Sequence, residues 1–153
     1  MQKNINKQEA YEYMLNRIQQ LTINSPRLFG TMSVEQMLCH LSDQLRLALN
    51  QKPTLTKTNL YYRTIYKWVA IYLMKEMPKN LTTIKEQQQG IGNAGTLPTG
   101  FENDRMILLN LLAEFKNQQD SLHPHPLLGK LTANEWGKLV FVHMDYHLKQ
   151  FSN

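Results

Sequence analysis

Two histidines one helical turn apart are the residues whose types and spacing most directly suggest chemistry. His143 and His147 stand at positions i and i+4 of a segment with a helical apolar pattern. Side chains at this spacing share one face of a helix, so both imidazoles can bind the same metal ion. Hydrogen bonds to backbone or carboxylate groups can also satisfy two inward-facing imidazoles. The pair alone therefore leaves metal binding and hydrogen bonding as alternatives.

A third histidine favours the metal. His40 lies at the edge of the apolar face of an earlier predicted helix, where it can point into a cavity between helices. Three neutral imidazoles that leave positions open for water or substrate are typical of catalytic metal sites. We therefore predict that His40, His143 and His147 bind a divalent metal ion. Zinc, nickel and iron all accept imidazole, so the ligands do not identify the metal.

Two residues beside His40 have alternative interpretations. Asp43 lies one turn further along the helix. It either orients a metal-binding histidine without binding the metal itself or is an exposed helix carboxylate, and we favour the exposed carboxylate. Cys39 directly precedes His40, and neighbouring helix residues point about 100° apart, so the two cannot easily share a site. We predict that Cys39 is a small buried side chain and not a nucleophile.

Other motifs do not support a known type of site. In H-E-x-x-H peptidases a glutamate follows the first histidine, whereas Met144 stands there and Asp145 falls on the opposite side of the helix. His123 and His125 flank a proline, and they are either extra ligands or, as we favour, residues of the turn. The glycines of residues 90–95 fit G-x-G-x-x-G but lack the strand and helix of a dinucleotide site.

Five predicted helices must position these residues. They cover approximately residues 7–21, 33–49, 60–77, 102–118 and 132–151, and Ser33 and Thr132 each begin a capping-box pattern. The third helix is apolar on most sides, which indicates deep burial or an oligomer contact. Its aromatic residues at helical spacing fit a core, a cavity wall or a dimer contact better than a nucleic-acid surface. These residues are Tyr61, Tyr62, Tyr66, Trp68 and Tyr72.

The composition fits one all-α domain covering residues 1–153, with a long irregular connection over residues 78–100. The single cysteine excludes an internal disulfide. No segment has the length of a membrane helix or the pattern of a signal peptide, so we expect a cytoplasmic protein without a membrane partner. The formal net charge of +5 comes from dispersed lysines and arginines, so we expect no nucleic-acid partner.

Two segments resemble a known family. Residues 32–41, with the sequence MSVEQMLCHL, are similar to the first metal-ligand helix of the DinB-like superfamily. Residues 125–151, with HPLLG, LT, EW, His143 and the final HLKQF, are similar to its C-terminal signature. Within this superfamily, the sequence more specifically resembles a subfamily of unassigned function. The similarity is weakest over residues 54–101.

The resemblance implies a fold, a ligand set and a type of chemistry. It implies a four-helix bundle, often dimeric, in which His40, His143 and His147 bind a divalent metal. Related branches include transferases and isomerases that use small cellular thiols. We therefore expect a small-molecule substrate, with a thiol-dependent S-transferase or a metal-water hydrolase as the enzyme. A non-catalytic ligand-binding or structural protein is the alternative, and nucleic-acid binding is the least favoured one.

Overall fold

The computed structural model describes residues 3–74, 76–78 and 83–151, and these ranges contain helices and loops but no strand. The all-α prediction is confirmed. The four α-helices begin and end within one or two residues of their predicted bounds. They are α1 (Gln8–Gln20), α2 (Val34–Ala48), α3 (Phe101–Asn117) and α4 (Ala133–Lys149).

Both predicted capping boxes are present at the starts of α2 and α4. The Ser33 hydroxyl accepts a hydrogen bond from the Gln36 backbone N–H, and the Gln36 side chain accepts one from the Ser33 N–H. Thr132 and Glu135 exchange the same two bonds. Because these bonds satisfy backbone donors that the first helical turn leaves unpaired, they fix where each helix begins. Both helices that carry the histidines therefore have a locally encoded start.

The third predicted helix differs from expectation. Residues 60–73 are helical, with two π-helical turns at Tyr62–Tyr66 and Val69–Leu73, and the helix ends at Leu73 rather than near residue 77. Deep burial was the wrong interpretation of its apolar character, because Ile71 is its one buried residue and Trp68 is 56% exposed. The segment contacts α4 along one side, and its other side is open to solvent. An oligomer contact on that side stays a prediction.

The helices pack around one hydrophobic core. Helix α2 contacts α3 and α4, and α1 contacts the same two helices. On α4 the apolar residues Trp136, Val140 and Met144 are fully buried in this core. The two histidines of α4 lie on the same inward half of the helix as these residues. They are therefore directed toward α2 when this face of α4 packs in the core. None of the helices in the described part of the chain is both long and apolar enough to cross a membrane.

Candidate metal centre

The imidazoles of His40, His143 and His147 meet between α2 and α4. All three residues are buried, with exposures of 2%, 4% and 7%. The Nε2 atom of His143 lies 2.9 Å from Nε2 of His40 and 3.1 Å from Nε2 of His147. They form a group of described residues that could hold a metal ion, with one nitrogen from each within 4.8 Å of the others. The structure thus brings together the three residues predicted as ligands.

The opposite nitrogen of each ring has an oxygen partner. His40 Nδ1 lies 2.9 Å from the backbone oxygen of Gln87, and His143 Nδ1 lies 2.8 Å from Oε1 of Gln44. His147 Nδ1 lies 2.7 Å from Oε1 of Gln150. Because these oxygens accept hydrogen bonds, each Nδ1 carries the proton and donates it. In a neutral ring the Nε2 atom is then unprotonated.

Three unprotonated nitrogens therefore face one another in a buried space. None of them can donate a hydrogen bond, so their lone pairs repel unless a proton or a metal ion lies between them. Burial disfavours the proton: it lowers the pKa of His40, lowers that of His143 well below its ordinary value, and lowers the pKa of His147 to about 3. Neutral imidazoles bound through Nε2 and anchored through Nδ1 are the donor set that a divalent ion requires. The residues present fit a metal.

The Gln150 side chain that anchors His147 is itself held by the loop between α1 and α2. Gly30 has a positive φ of 81°, and a Cβ atom there would lie 2.5 Å from Nε2 of Gln150. The Gln150 backbone oxygen also accepts a hydrogen bond from the Leu28 N–H at 2.7 Å. This close approach needs glycine at position 30, because any side chain would displace the amide that orients His147.

A cavity of about 450 Å³ adjoins the three histidines. Its size is within the usual range for small-molecule sites. Residues 60–73, the connection before α3, the turn before α4 and α4 itself all contribute to its walls. Its lining includes Met32, Gln44, Tyr66, Ala70, Met74, Thr83, Ile84, Gln87, Gln88, Gln89, Asn93, His125, Leu127, Leu128, Leu139, Val142, Tyr146 and Gln150. A ligand in this space would lie beside the Nε2 atoms.

The two remaining histidines belong to the turn, as favoured. Nδ1 of His125 accepts hydrogen bonds from the backbone N–H groups of Leu127 and Leu128, each at 3.1 Å. Burial lowers the pKa of His125 to about 4, so its ring is a neutral part of the cavity wall. The His123 backbone donates to the Ala48 oxygen and accepts from the indole of Trp136. Neither belongs to the three-histidine group.

Asp43 departs from both interpretations. It is completely buried and not exposed, and it binds Lys52, Arg46 and Thr96 rather than a histidine. The backbone N–H and the hydroxyl of Thr96 donate hydrogen bonds to the Asp43 carboxylate, at 2.8 Å and 2.6 Å. Asp43 therefore attaches the connection before α3 to α2. That connection carries Gln87, so Asp43 supports His40 indirectly, through the loop.

Asp145 and Cys39 lie where the pattern placed them. Asp145 is directed away from the three histidines and forms ion pairs with Arg17 at 2.6 Å and Lys149 at 2.8 Å. Cys39 is buried, and burial next to Asp104 raises the pKa of its thiol to about 12. A thiol held protonated in this way is a poor nucleophile.

Sequence reasoning missed the three groups that orient the imidazoles. Gln44 follows His40 by one turn on the same face, and Gln150 follows His147 by three residues, so helical spacing was a usable signal for both. The third group is the Gln87 backbone oxygen, for which a side-chain pattern contains no signal. The G-x-G-x-x-G segment is preceded by the short helix Lys85–Gln87 and not by a strand, which agrees with the rejection of a dinucleotide site.

Comparison with known proteins identifies a family without an assigned function. A family model described as "Protein of unknown function (DUF1569)" matches residues 3–153. No curated protein and no solved structure matches the chain. Since the family model covers nearly the whole sequence, the chain belongs to the DUF1569 family.

Proposed function

We propose that this protein binds one divalent metal ion through Nε2 of His40, His143 and His147 and acts on a small molecule in the adjoining cavity. The observation that carries the proposal is the convergence of three buried nitrogens whose Nδ1 partners are all oxygens. The arrangement is unfavourable as a set of neutral rings and favourable as a set of metal ligands.

The spacing of the nitrogens supports one shared ion. Ligands about 2.1 Å from a metal are separated by ~3.0 Å at a right angle and by ~3.4 Å at a tetrahedral angle. The two separations that involve His143, 2.9 Å and 3.1 Å, lie close to the right-angle value. Three protein ligands leave further positions for a substrate atom, as in catalytic sites. Zinc, nickel and iron remain equally suitable.

We propose a metal-dependent enzyme, either a thiol-dependent S-transferase or a metal-water hydrolase. A divalent ion supplies Lewis acidity, which lowers the pKa of a thiol or water beside it. The chain's own residues orient the imidazoles through Gln44, Gln87 and Gln150, and they enclose the substrate. Among the described residues, no carboxylate lines the cavity as a general base. The surroundings therefore favour chemistry in which the nucleophile needs no carboxylate to deprotonate it.

The DinB-like resemblance is part of the proposal. The four α-helices, the contacts of α2 with α4 and the location of the histidines on those two helices support a DinB-like four-helix bundle. The exposed apolar side of residues 60–73 supports a homodimer of such bundles. The alternative is a non-catalytic ligand-binding protein, and the cavity itself supports that equally. Turnover of small thiols with electrophilic acceptors, lost on chelation, would separate the enzyme from the binder.

Metal analysis of purified protein tests the base of the proposal. We expect about one divalent ion per chain in the wild type and almost none in a His143→Ala/His147→Ala variant, because one imidazole alone cannot retain the ion. His123→Ala is the matched control, since it removes a histidine outside the group, and it should keep the ion. Equally low metal in the wild type and the double variant, after incubation with zinc, nickel and iron, would refute the proposal.

Removing an amide that orients a ligand should weaken metal binding without abolishing it. We expect Gln44→Leu and Gln150→Leu each to lower metal affinity about 10- to 100-fold, the usual effect of losing a partner behind a ligand. Competition with a chromogenic chelator measures this affinity. Gln44→Glu keeps an acceptor oxygen and should retain most of the affinity. Gln118→Leu, on the exposed surface at the end of α3, should change nothing. Unchanged affinity in both site variants would contradict the assigned roles.

A further inference from the structure

Within the part of the chain that the structure describes, the cavity walls contain no aspartate, glutamate, lysine or arginine, and their ionisable side chains are those of histidines and of Tyr66 and Tyr146. The apolar wall of the cavity includes Met32, Leu128, Leu139 and Val142. Its polar wall includes the uncharged hydroxyl and amide groups that residues 83–93 contribute. The chain has 17 basic and 12 acidic residues, yet none of those in the described ranges lines this cavity.

The polar wall is largely satisfied by its own hydrogen bonds. Thr83 donates its hydroxyl to Gln87 Oε1 at 3.1 Å and accepts from the Gln88 amide through its backbone oxygen at 3.3 Å. The Asn93 amide donates to the Gln89 backbone oxygen at 2.8 Å. The Gln89 carboxamide differs: its oxygen and nitrogen are both shielded from solvent and have no hydrogen-bond partner in the described residues. This wall has unused hydrogen-bonding capacity for one neutral polar group.

Two buried acids that are sequence neighbours of lining residues are committed elsewhere. Glu86, next to Gln87, accepts hydrogen bonds from the backbone N–H groups of Leu55 and Thr56, each at 2.6 Å. Asp43 is paired with Lys52 and Arg46. Neither carboxylate lines the cavity, so neither can form an ion pair in direct contact with a cationic ligand inside it. No lysine or arginine of the described lining can neutralise an anionic one.

We infer that the cavity selects small uncharged molecules with an apolar body and excludes molecules that carry an ionised group away from the metal-binding atom. The inference rests on the proposed function for the identity of the site, and it deepens that function by naming the substrate class. Moving a charge from water to walls without a countercharge is unfavourable, whereas the apolar side favours burial of an uncharged body. Flexible methionines such as Met32 let the walls adapt to the shape of that body.

Three probes of nearly equal size and different charge test the inference: benzamide, benzoate and benzamidinium. Binding is measured on chelator-treated protein, so that benzoate has no ion to bind, by NMR of ¹³C-labelled methionine methyl groups. We expect benzamide to shift the signals of Met32, Met74 and Met77, which line the cavity, and to leave the core residues Met14, Met37 and Met144 unchanged. The Kd of benzamide for the wild-type protein should be at least about tenfold lower than the Kd of either charged probe.

A charge placed on the apolar wall should reverse the preference. In Val142→Asp, benzamidinium should bind more tightly than benzamide, whereas Met106→Asp adds the same charge on the exposed surface of α3 and should leave the order unchanged. Circular dichroism establishes whether Val142→Asp is folded, and if it is not, the wild-type comparison alone decides. The inference is overturned if a charged probe binds wild type as tightly as benzamide, or if benzamide shifts no cavity signal.

The same protein sample separates this inference from the proposed function. Metal content is measured independently of probe binding. Discrimination by charge in a protein that retains no ion would uphold the cavity and refute the metal site. An ion retained without such discrimination would do the reverse.

Discussion

The metal-free protein is expected to lose most of its folding stability as the pH falls from about 7 to about 5. Burial lowers the pKa values of His40 and His143. It lowers the pKa of His147 to about 3 and that of His125 to about 4. In the unfolded chain these groups titrate near ~6.5. Above that pH both states are neutral and the histidines contribute nothing. Below it the unfolded chain binds protons that the folded protein cannot, so stability decreases until the pH reaches the folded-state pKa values.

The expected size of this effect is large. Each histidine can change the free energy of unfolding by up to ~1.4 kcal/mol per pH unit, and four histidines act together. The whole free energy of unfolding of a typical domain is only about 5–15 kcal/mol. Buried carboxylates with a lowered pKa, such as Glu86 and Asp145, destabilise the protein only at lower pH, as they begin to bind protons. Between the ordinary pKa of a carboxyl group and that of histidine, the change in folding stability with pH therefore comes from the histidines.

Urea unfolding followed by circular dichroism at several pH values measures this dependence. A His143→Leu/His147→Leu variant removes two of the four histidines and should show about half the slope. Adding a divalent ion should shift the wild-type acid transition to lower pH, because the ion holds the imidazoles in their neutral form. Wild-type stability that is constant between pH 7 and 5 would contradict the prediction.

Replacing Trp136 by alanine should cost about 3–5 kcal/mol of folding free energy, the usual range for a buried tryptophan. Trp136 is fully buried on α4, and its ring lies 6.5 Å from that of Phe115. Its indole N–H donates to the His123 backbone oxygen at 3.1 Å. The substitution would leave a cavity in the core and an unpaired backbone oxygen in the turn before α4.

The second tryptophan of the chain is a natural control for this measurement. Trp68 is 56% exposed, and Trp68→Ala should change the free energy of unfolding by no more than about 0.5 kcal/mol. Trp136→Phe, which retains most of the buried area but not the N–H, should fall between the two. Denaturant titrations of the three variants give the comparison. Equal losses at positions 68 and 136 would mean that the packing of α4 is not as described.

The predictable parts of this protein are those specified by neighbouring residues. Ser33 and Thr132 begin α2 and α4 through bonds to residues three positions later, so the starts of both helices could be read directly. Helical spacing then placed His143 and His147 on one face and His40 on the edge of another. The site could be proposed because its side chains lie on two regular helices whose buried faces are easily recognised.

The parts that were mispredicted depend on distant residues. The apolar pattern of residues 60–73 resembles that of a core helix, yet Trp68 and Tyr72 are 56% and 53% exposed in the structure. Asp43 looks like an exposed carboxylate until Thr96, 53 positions away, folds over it. The partner of His40 is a backbone oxygen on the same connection. Such contacts follow from where the chain crosses itself, which residue type and spacing do not encode.

The separation of the three proposed ligands along the chain has a consequence for biosynthesis. His40 and His143, whose Nε2 atoms lie 2.9 Å apart, are separated by 103 positions. While the ribosome is still translating the connection after α2, a nascent chain offers a single one of the three imidazoles. An ion held by this site would therefore enter only after residue 147 has been synthesised and α4 has docked on α2. Metal occupancy would then be confined to chains synthesised past residue 147, and shorter translation products would not compete for the cell's supply of the ion.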